Sequence, residues 1–286
     1  MDDKNYPALY QVANDGAISA QHDLLNLTRW NSILLIAGAA VSLVTVAHAL
    51  VFILAALFFG ASLFTYIFGR VKNYHGKWYK ARALAESVKT STWKFMMRAE
   101  PYQDEQTAEP KFIGVLQELL DQNKDIGEQL SSSVSTEQVT DYMLKKRASS
   151  FADRKDVYLK ERIEEQKMWY AGKVKFNKNH SKKWFTLLCI AYGVAIVLVL
   201  LKIAYPSWEY VPTEVAIVIA SSIISWTQLK RFDELASAYS LTVQEIGIVH
   251  SRYRQVSTEQ DMASFTSDAE NVFSREHTQW AARRDT

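Results

Sequence analysis

Aspartate, glutamate, lysine and arginine are missing from three stretches of this chain: Trp30–Gly69, Trp184–Leu201 and Val215–Leu229. Elsewhere charge is dense, 33 Lys and Arg against 31 Asp and Glu, so the net charge of +2 conceals a segregation. A soluble globular chain spreads apolar residues through amphipathic elements; uncharged apolar runs of about 18 residues or more read as membrane spans. Cysteine is nearly absent: Cys189 alone excludes a disulfide framework or a cysteine-based metal site within one chain. A basic start is lacking; Asp2 and Asp3 stand where a signal peptide needs positive charge, so the first span is expected to stay in the mature protein. Catalytic motifs are missing as well. "GRVKNYHGKW" tempts towards a phosphate loop, but six residues separate Gly69 from Gly76, Trp78 stands at the Ser/Thr position, and no strand precedes it. There is no H-E-x-x-H or G-x-S-x-G, and the six histidines lack metal-ligand spacing. The expectation is a non-enzyme without cofactor or metal.

What is present is organised as hairpins. Trp30–Gly69 is 40 residues, twice one span. It divides into arms at 30–47 and 50–69 around a turn near His48. Each arm reaches about 27–30 Å, enough for a hydrocarbon core. A second hairpin runs from Trp184 to about Ala204, turns through "YPSWEYVPTE", and returns over Thr213–Leu229. Pro206 and Pro212 break the helix there, while Trp208 and Tyr210 suit an interface. Basic runs flank the inner ends: "RVKNYHGKWYKAR" after the second arm, "KVKFNKNHSKKW" before the third, "KR" after the fourth. The positive-inside rule then places both termini and the whole middle region in the cytoplasm.

The polar parts read as helices. Lys77–Glu100 contains no breaker until Pro101. "KFIGVLQELLDQN" is amphipathic, with Phe112, Ile113, Leu116, Leu119 and Leu120 on one side. "SSSVSTEQ" is a loop with a capping signal at Ser135 or Thr136. From Phe151 a helix is expected to run into the third span with only Gly172 interrupting, and the fourth span to continue unbroken to about His250. A last helix covers Thr258–Arg283. A weak repeat is visible: Trp30 and Trp184 each precede a Leu-Ala pair, by 54 and 51 residues. Two hairpins of standard length would give similar offsets without a repeat.

Two groups of residues are candidates for function. On the fourth span Glu214, Ser221, Ser225 and Gln228 fall at offsets 0, 7, 11 and 14, one face of a 3.6-residue helix. Val215, Ile219, Ile223 and Trp226 lie largely elsewhere, towards lipid. Such a stripe faces either water or a closely packed helix. Ser42, Thr45, Ser62 and Thr65 in the first hairpin read as scaffold, their hydroxyls bonded to backbone carbonyls. The second group is basic and aromatic: Lys77, Trp78, Tyr79, Lys80, Arg82, Lys89 and Trp93; Lys173, Lys175, Lys178, Lys182 and Lys183; Arg275, Trp280, Arg283 and Arg284. It suits anionic lipid headgroups or the phosphates and bases of a nucleotide.

Several segments carry a family resemblance. "WYKARALAESVKTSTWKFMMRAEPY" resembles the stretch that follows the hairpin in SLATT domains, two-span effector domains of bacterial nucleotide-signalling defence systems. "YLKERIEEQKMWYAGKVKFNKNHSKKW" resembles the segment before the hairpin of a second such unit. "LKRFDELASAYSLTVQEI" and "AENVFSREHTQWAARR" resemble its end. The resemblance implies two tandem units in a bacterial inner membrane. It also implies a pore-forming effector that depolarises the membrane and arrests an infected cell, answering a signal from a partner nucleotidyltransferase.

The expected fold is an all-α membrane protein: two transmembrane hairpins, four spans, with long helices extending into a cytoplasmic bundle. Its parts are a cytoplasmic helix over 1–29, hairpin 30–69, stalk helix 70–100, helices and loop 101–150, stalk 151–183, hairpin 184–229 and C-terminal helices 230–286. The expected function is a homo-oligomeric pore, a tetramer, gated by a nucleotide or oligonucleotide. The alternative is a membrane-anchored helical adaptor that recruits a cytoplasmic enzyme without conducting ions.

Overall fold

The computed structural model describes residues 1–44, 49–124 and 136–282, with side chains as far as Ser274. Thr45, the turn near His48 and the cap at Ser135 lie outside the described residues. Ten α-helices are described: α1 (Ala8–Ser42), α2 (Ala49–Lys72), α3 (Tyr74–Met96), α4 (Ala108–Gln122), α5 (Asp141–Ala148), α6 (Phe151–Tyr158), α7 (Glu165–Ala204), α8 (Thr213–Lys230), α9 (Phe232–Arg252) and α10 (Glu259–Ala282). A six-residue π-helix, Leu159–Glu164, joins α6 to α7. No strand occurs among the described residues.

Three helical runs are long and apolar enough to cross a membrane: Ala8–Ser42, Ala49–Met96 and Phe151–Ala204. Only 11% of each apolar window is buried within the chain, so these surfaces need lipid or another copy to cover them. α8 has 18 residues, begins with Thr213 and Glu214, ends at Gln228 and Lys230, and is not among the three.

The helix boundaries agree with the sequence reading in one place and correct it in others. α1 runs through residue 29 without a break, as a stalk continuing into the first arm, and no proline lies between Ala8 and Ser42 to interrupt it. The fourth arm does not continue to His250: Arg231 adopts a left-handed conformation, φ 48°, and a new helix starts at Phe232. Asn73 does the same, also at φ 48°, between α2 and α3. In each half, then, a continuous helix forms the first arm and a left-handed residue ends the second. That shared break marks the repeat better than the Leu-Ala pairs do. Gly172 leaves α7 intact, and the interruption falls at the π-helix instead.

The chain forms two compact units. The first takes Met1–Ala20, His75–Val174 and Ser237–Thr286; the second takes Gln21–Tyr74 and Lys175–Ala236. The core of the first unit gathers Tyr6, Trp93, Phe95, Met96, Tyr102, Phe112, Met143, Tyr158, Ile163, Ile246 and Met262 from seven segments. Of the α4 stripe, Phe112 and Leu116 are buried whereas Ile113 is exposed. Trp93, expected on a solvated surface, is fully buried, and its Nε1 donates to the Tyr6 hydroxyl at 2.9 Å.

The capping signal acts differently from its expected reading. Gln138 Oε1 accepts from the backbone N–H of Leu9, 3.2 Å, and so serves α1. The cap of α5 is Thr140, whose Oγ1 accepts from Met143 N at 3.3 Å and donates to the carbonyl of Asn5 at 2.9 Å. Thr140→Ala loses both bonds at a buried site and is expected to destabilise the protein by about 1–2 kcal/mol, read as a lower thermal midpoint.

In the second unit the arms of the first hairpin meet through small groups. A Cβ on Gly38 would lie 2.7 Å from the Phe59 ring, so only glycine allows this approach. Buried Ser62 donates to Asn31 Oδ1 across the pair at 2.8 Å rather than to its own helix. Ser42 and Thr65 bond backbone carbonyls, as expected.

Candidate functional site

α8 packs through one face and leaves the other open. Ala216 and Ala220 are buried; Glu214, Ser221, Ser225 and Gln228 are all exposed. Small residues on the buried face allow close helix approach. None of the four stripe side chains makes a hydrogen bond or ion pair within the chain among the described residues. Other hydroxyls of the apolar helices are satisfied internally: Ser42 to Gly38 O, Thr186 to Lys182 O, Thr227 to Ile224 O. An unpaired polar row facing hydrocarbon would be costly. The stripe therefore needs water or polar groups of another molecule.

Trp226, expected towards lipid, is half-buried instead. It lies 6.1 Å from Trp184 between ring centres, with the Arg29 guanidinium 5.3 Å and Lys230 Nζ 5.7 Å from its centroid. Cations over indole are attracted by the ring's negative face. The pairing was hidden because Arg29 and Trp226 are far apart in sequence.

The basic and aromatic candidates are dispersed by the fold. On α3, Trp78 packs against Ala17 and Ala81, and His75 sets its ring edge against Trp78 at 5.8 Å. Arg82 pairs with Glu86 and reaches Asn14 Oδ1 at 3.4 Å. Lys77 and Tyr79 are half-buried and Lys80 is exposed. Lys173 belongs to the first unit, with its ammonium 5.3 Å from the Trp169 ring, while Lys175 belongs to the second. The side chains of Arg275 and Trp280, and all of Arg283 and Arg284, lie outside the described residues.

The polar centre of the first unit is one that sequence reasoning missed. It sits at the π-helix. Arg162 and Glu270 are both buried, 1% and 0% exposed, and form a two-pronged pair: Nε to Oε1 at 2.8 Å and Nη2 to Oε2 at 2.6 Å. Tyr158 donates to Oε1 at 3.0 Å and Thr90 to Oε2 at 3.1 Å, completing the carboxylate's shell. Burial opposes the charge on Arg162, but Glu270 outweighs it and holds the guanidinium above its ordinary value. The Phe273 ring lies 4.8 Å from the guanidinium carbon. Two more arginines on this stretch are buried. Arg147 donates to the carbonyls of Phe95 and Tyr102 at 2.6 and 2.9 Å, and Arg154 pairs with Glu259. The signal was there to find: Arg147, Arg154 and Arg162 recur every two helical turns, and Glu270 shares a face with Met262, Phe265, Thr266, Ala269 and Phe273. A π-turn adds one residue to a helix and often marks a functional position.

Helices throughout, apolar faces left uncovered by the chain and hydrogen-bonded hairpin arms define an all-helical membrane protein. The comparison with family models resolves it further. Residues 7–155 match the SMODS and SLOG-associating 2TM effector domain 3, and residues 158–280 match the SMODS and SLOG-associating 2TM effector domain 1. The chain belongs to the SLATT family and carries two of its domains in tandem. Searches of curated proteins and of solved structures return no significant match. The compact units do not follow the tandem boundary: each family domain contributes one hairpin to the second unit and flanking helices to the first.

Proposed function

We propose that the chain is a pore-forming effector of a bacterial defence system, acting in the inner membrane. α2 and α8 are the return arms of two transmembrane hairpins, giving four spans. Several copies, with four as the working assembly, bring their α8 helices around an axis, and Ser221, Ser225 and Gln228 line the path with Glu214 at its outer end. The observation that carries this reading is the outward-facing, unpaired stripe on a helix whose opposite face is packed. One chain with four spans encloses little water, so a pore along this stripe calls for further copies.

The division into units supports the topology. Both chain ends and the middle region share the first unit, and the two hairpins form the second. Termini and middle region then lie together in the cytoplasm, as the basic flanks require. The opening signal is a nucleotide or oligonucleotide made by a partner nucleotidyltransferase. Its binding shifts a closed–open equilibrium only through different affinity for the two states. Opening depolarises the membrane and aborts infection. The basic residues proposed to meet the signal or anionic lipid are Lys77, Lys80 and Lys173 of the first unit and, separately, Lys175 of the second.

The test is conductance. Purified protein in planar bilayers is expected to show discrete openings that increase with the cognate nucleotide. Silence under every nucleotide condition, together with capture of a stable enzyme partner, would replace the pore with the membrane-anchored adaptor.

A further inference from the structure

Across the four arms, 30–47, 50–69, 184–204 and 213–229, the sequence places two charges, Lys202 and Glu214. Both are exposed, and neither side chain makes a hydrogen bond or ion pair among the described residues. They stand on different surfaces. Lys202 follows Leu198 and Val199 by one turn on α7, an apolar face from which its long stem carries the ammonium to the interface. Glu214 shares its face with Ser221, Ser225 and Gln228, a neutral polar row.

The turn that carries Glu214 is anchored. Val211 is buried just ahead of α8, and its carbonyl accepts from Thr213 N at 2.8 Å. The Pro212 carbonyl accepts from the N–H of buried Ala216 at 3.2 Å. Glu214 therefore leaves the helix on the open side of a turn whose other side is packed. At the far end of α8 the cations are turned away or matched. Lys230 falls about 160° round the helix from Glu214, and its ammonium lies 5.7 Å from the centre of the Trp226 ring. Arg231 pairs with Glu234.

We propose that Glu214 makes the pore selective for cations, an assignment that rests on the function proposed above. Each copy adds one carboxylate at the outer end of the path, and α8 puts no ammonium or guanidinium in the same row. A ring of acidic side chains concentrates cations at a mouth and repels anions. Along the axis Glu214 stands about 10 Å from Ser221, a little more than the screening length of about 8 Å in physiological salt. Its field covers the entrance and fades along the neutral row, so selectivity weakens as salt is raised. An acidic residue in the first turn also complements the helix dipole. That role by itself would change stability and leave the ions carried unchanged.

The experiment reconstitutes the full chain in planar phosphatidylcholine bilayers and reads reversal potentials under a potassium chloride gradient, with thermal midpoints from the same preparations. The wild type is expected to pass potassium over chloride by about fivefold or more. That ratio is expected to fall towards unity near about 1 M salt, where the screening length is about 3 Å. Glu214→Gln is expected to lower the ratio at least about threefold with an unchanged midpoint, and Glu214→Lys to invert it. Glu209→Gln removes the same charge from the exposed turn, and Lys202→Gln removes the cation; each is expected to leave the ratio within about twofold. Equal passage of chloride by the wild type overturns the assignment while the pore stands. So does an equal shift in Glu209→Gln, or a lower midpoint in Glu214→Gln without a change in ratio. Silence of every preparation removes the pore, and this assignment with it.

Discussion

Ser221→Leu combined with Ser225→Leu is expected to reduce single-channel conductance by about tenfold or more, because apolar side chains along a narrow path let it dewet. Fold is expected to survive. Both serines are exposed and their hydroxyls bond nothing within the chain among the described residues, so leucine there crowds no neighbour of this chain and strands no partner. The opposite face supplies the contrast. Ala216 and Ala220 are buried, and a larger residue at either forces α8 off its packed position at about 1–3 kcal/mol. Ala220→Leu should therefore lower the thermal midpoint, whereas the serine pair should lower conductance with an unchanged midpoint. Planar-bilayer recording and thermal unfolding on the same preparations read both. Full conductance in the double leucine variant would take α8 off the pore axis.

The second large effect concerns stability. Glu270→Ala leaves the Arg162 guanidinium buried with no carboxylate and also strands Tyr158 and Thr90. Removing one partner of a buried pair costs about 3–5 kcal/mol. Arg162→Ala is expected to cost a similar amount, and Glu270→Gln less, since the amide still offers an acceptor. Arg252→Ala breaks an exposed pair with Asp268 and is expected to change the midpoint hardly at all. Replacing Arg162 and Glu270 together by methionine should recover much of the single-variant loss, because no buried charge is then unpaired. Equal midpoints for Arg162→Ala and Arg252→Ala would show that the centre does not hold the first unit together.

How much of this was readable in advance depended on the range of the interaction. The apolar arms announce themselves through residues within one helical length, and the α8 stripe needs only 3.6-residue periodicity. Its exposure was not readable, because a stripe of serines is equally suited to water and to a packed neighbour. The break at Arg231 was invisible for a related reason: arginine has good helix propensity and no steric preference for φ 48°. Asn73, at the same φ, is a residue that tolerates this conformation, yet no local rule asked for it there. Trp93 and Lys89 were assigned to a solvated helix surface by composition. The fold buries Trp93 against Tyr6, 87 residues away, and sets the Lys89 ammonium 5.8 Å from the centre of the same Tyr6 ring.

The sequence by itself determined the helical class and the apolar arms, since hydropathy and helix periodicity are local properties that survive any arrangement of the helices; the tandem family membership lies in the residue matches over 7–155 and 158–280. Only the tertiary structure decided which polar residues are buried, paired or left open. Arg162 meets Glu270 across 108 residues, and whether a charge is neutralised is a property of the pair that meets.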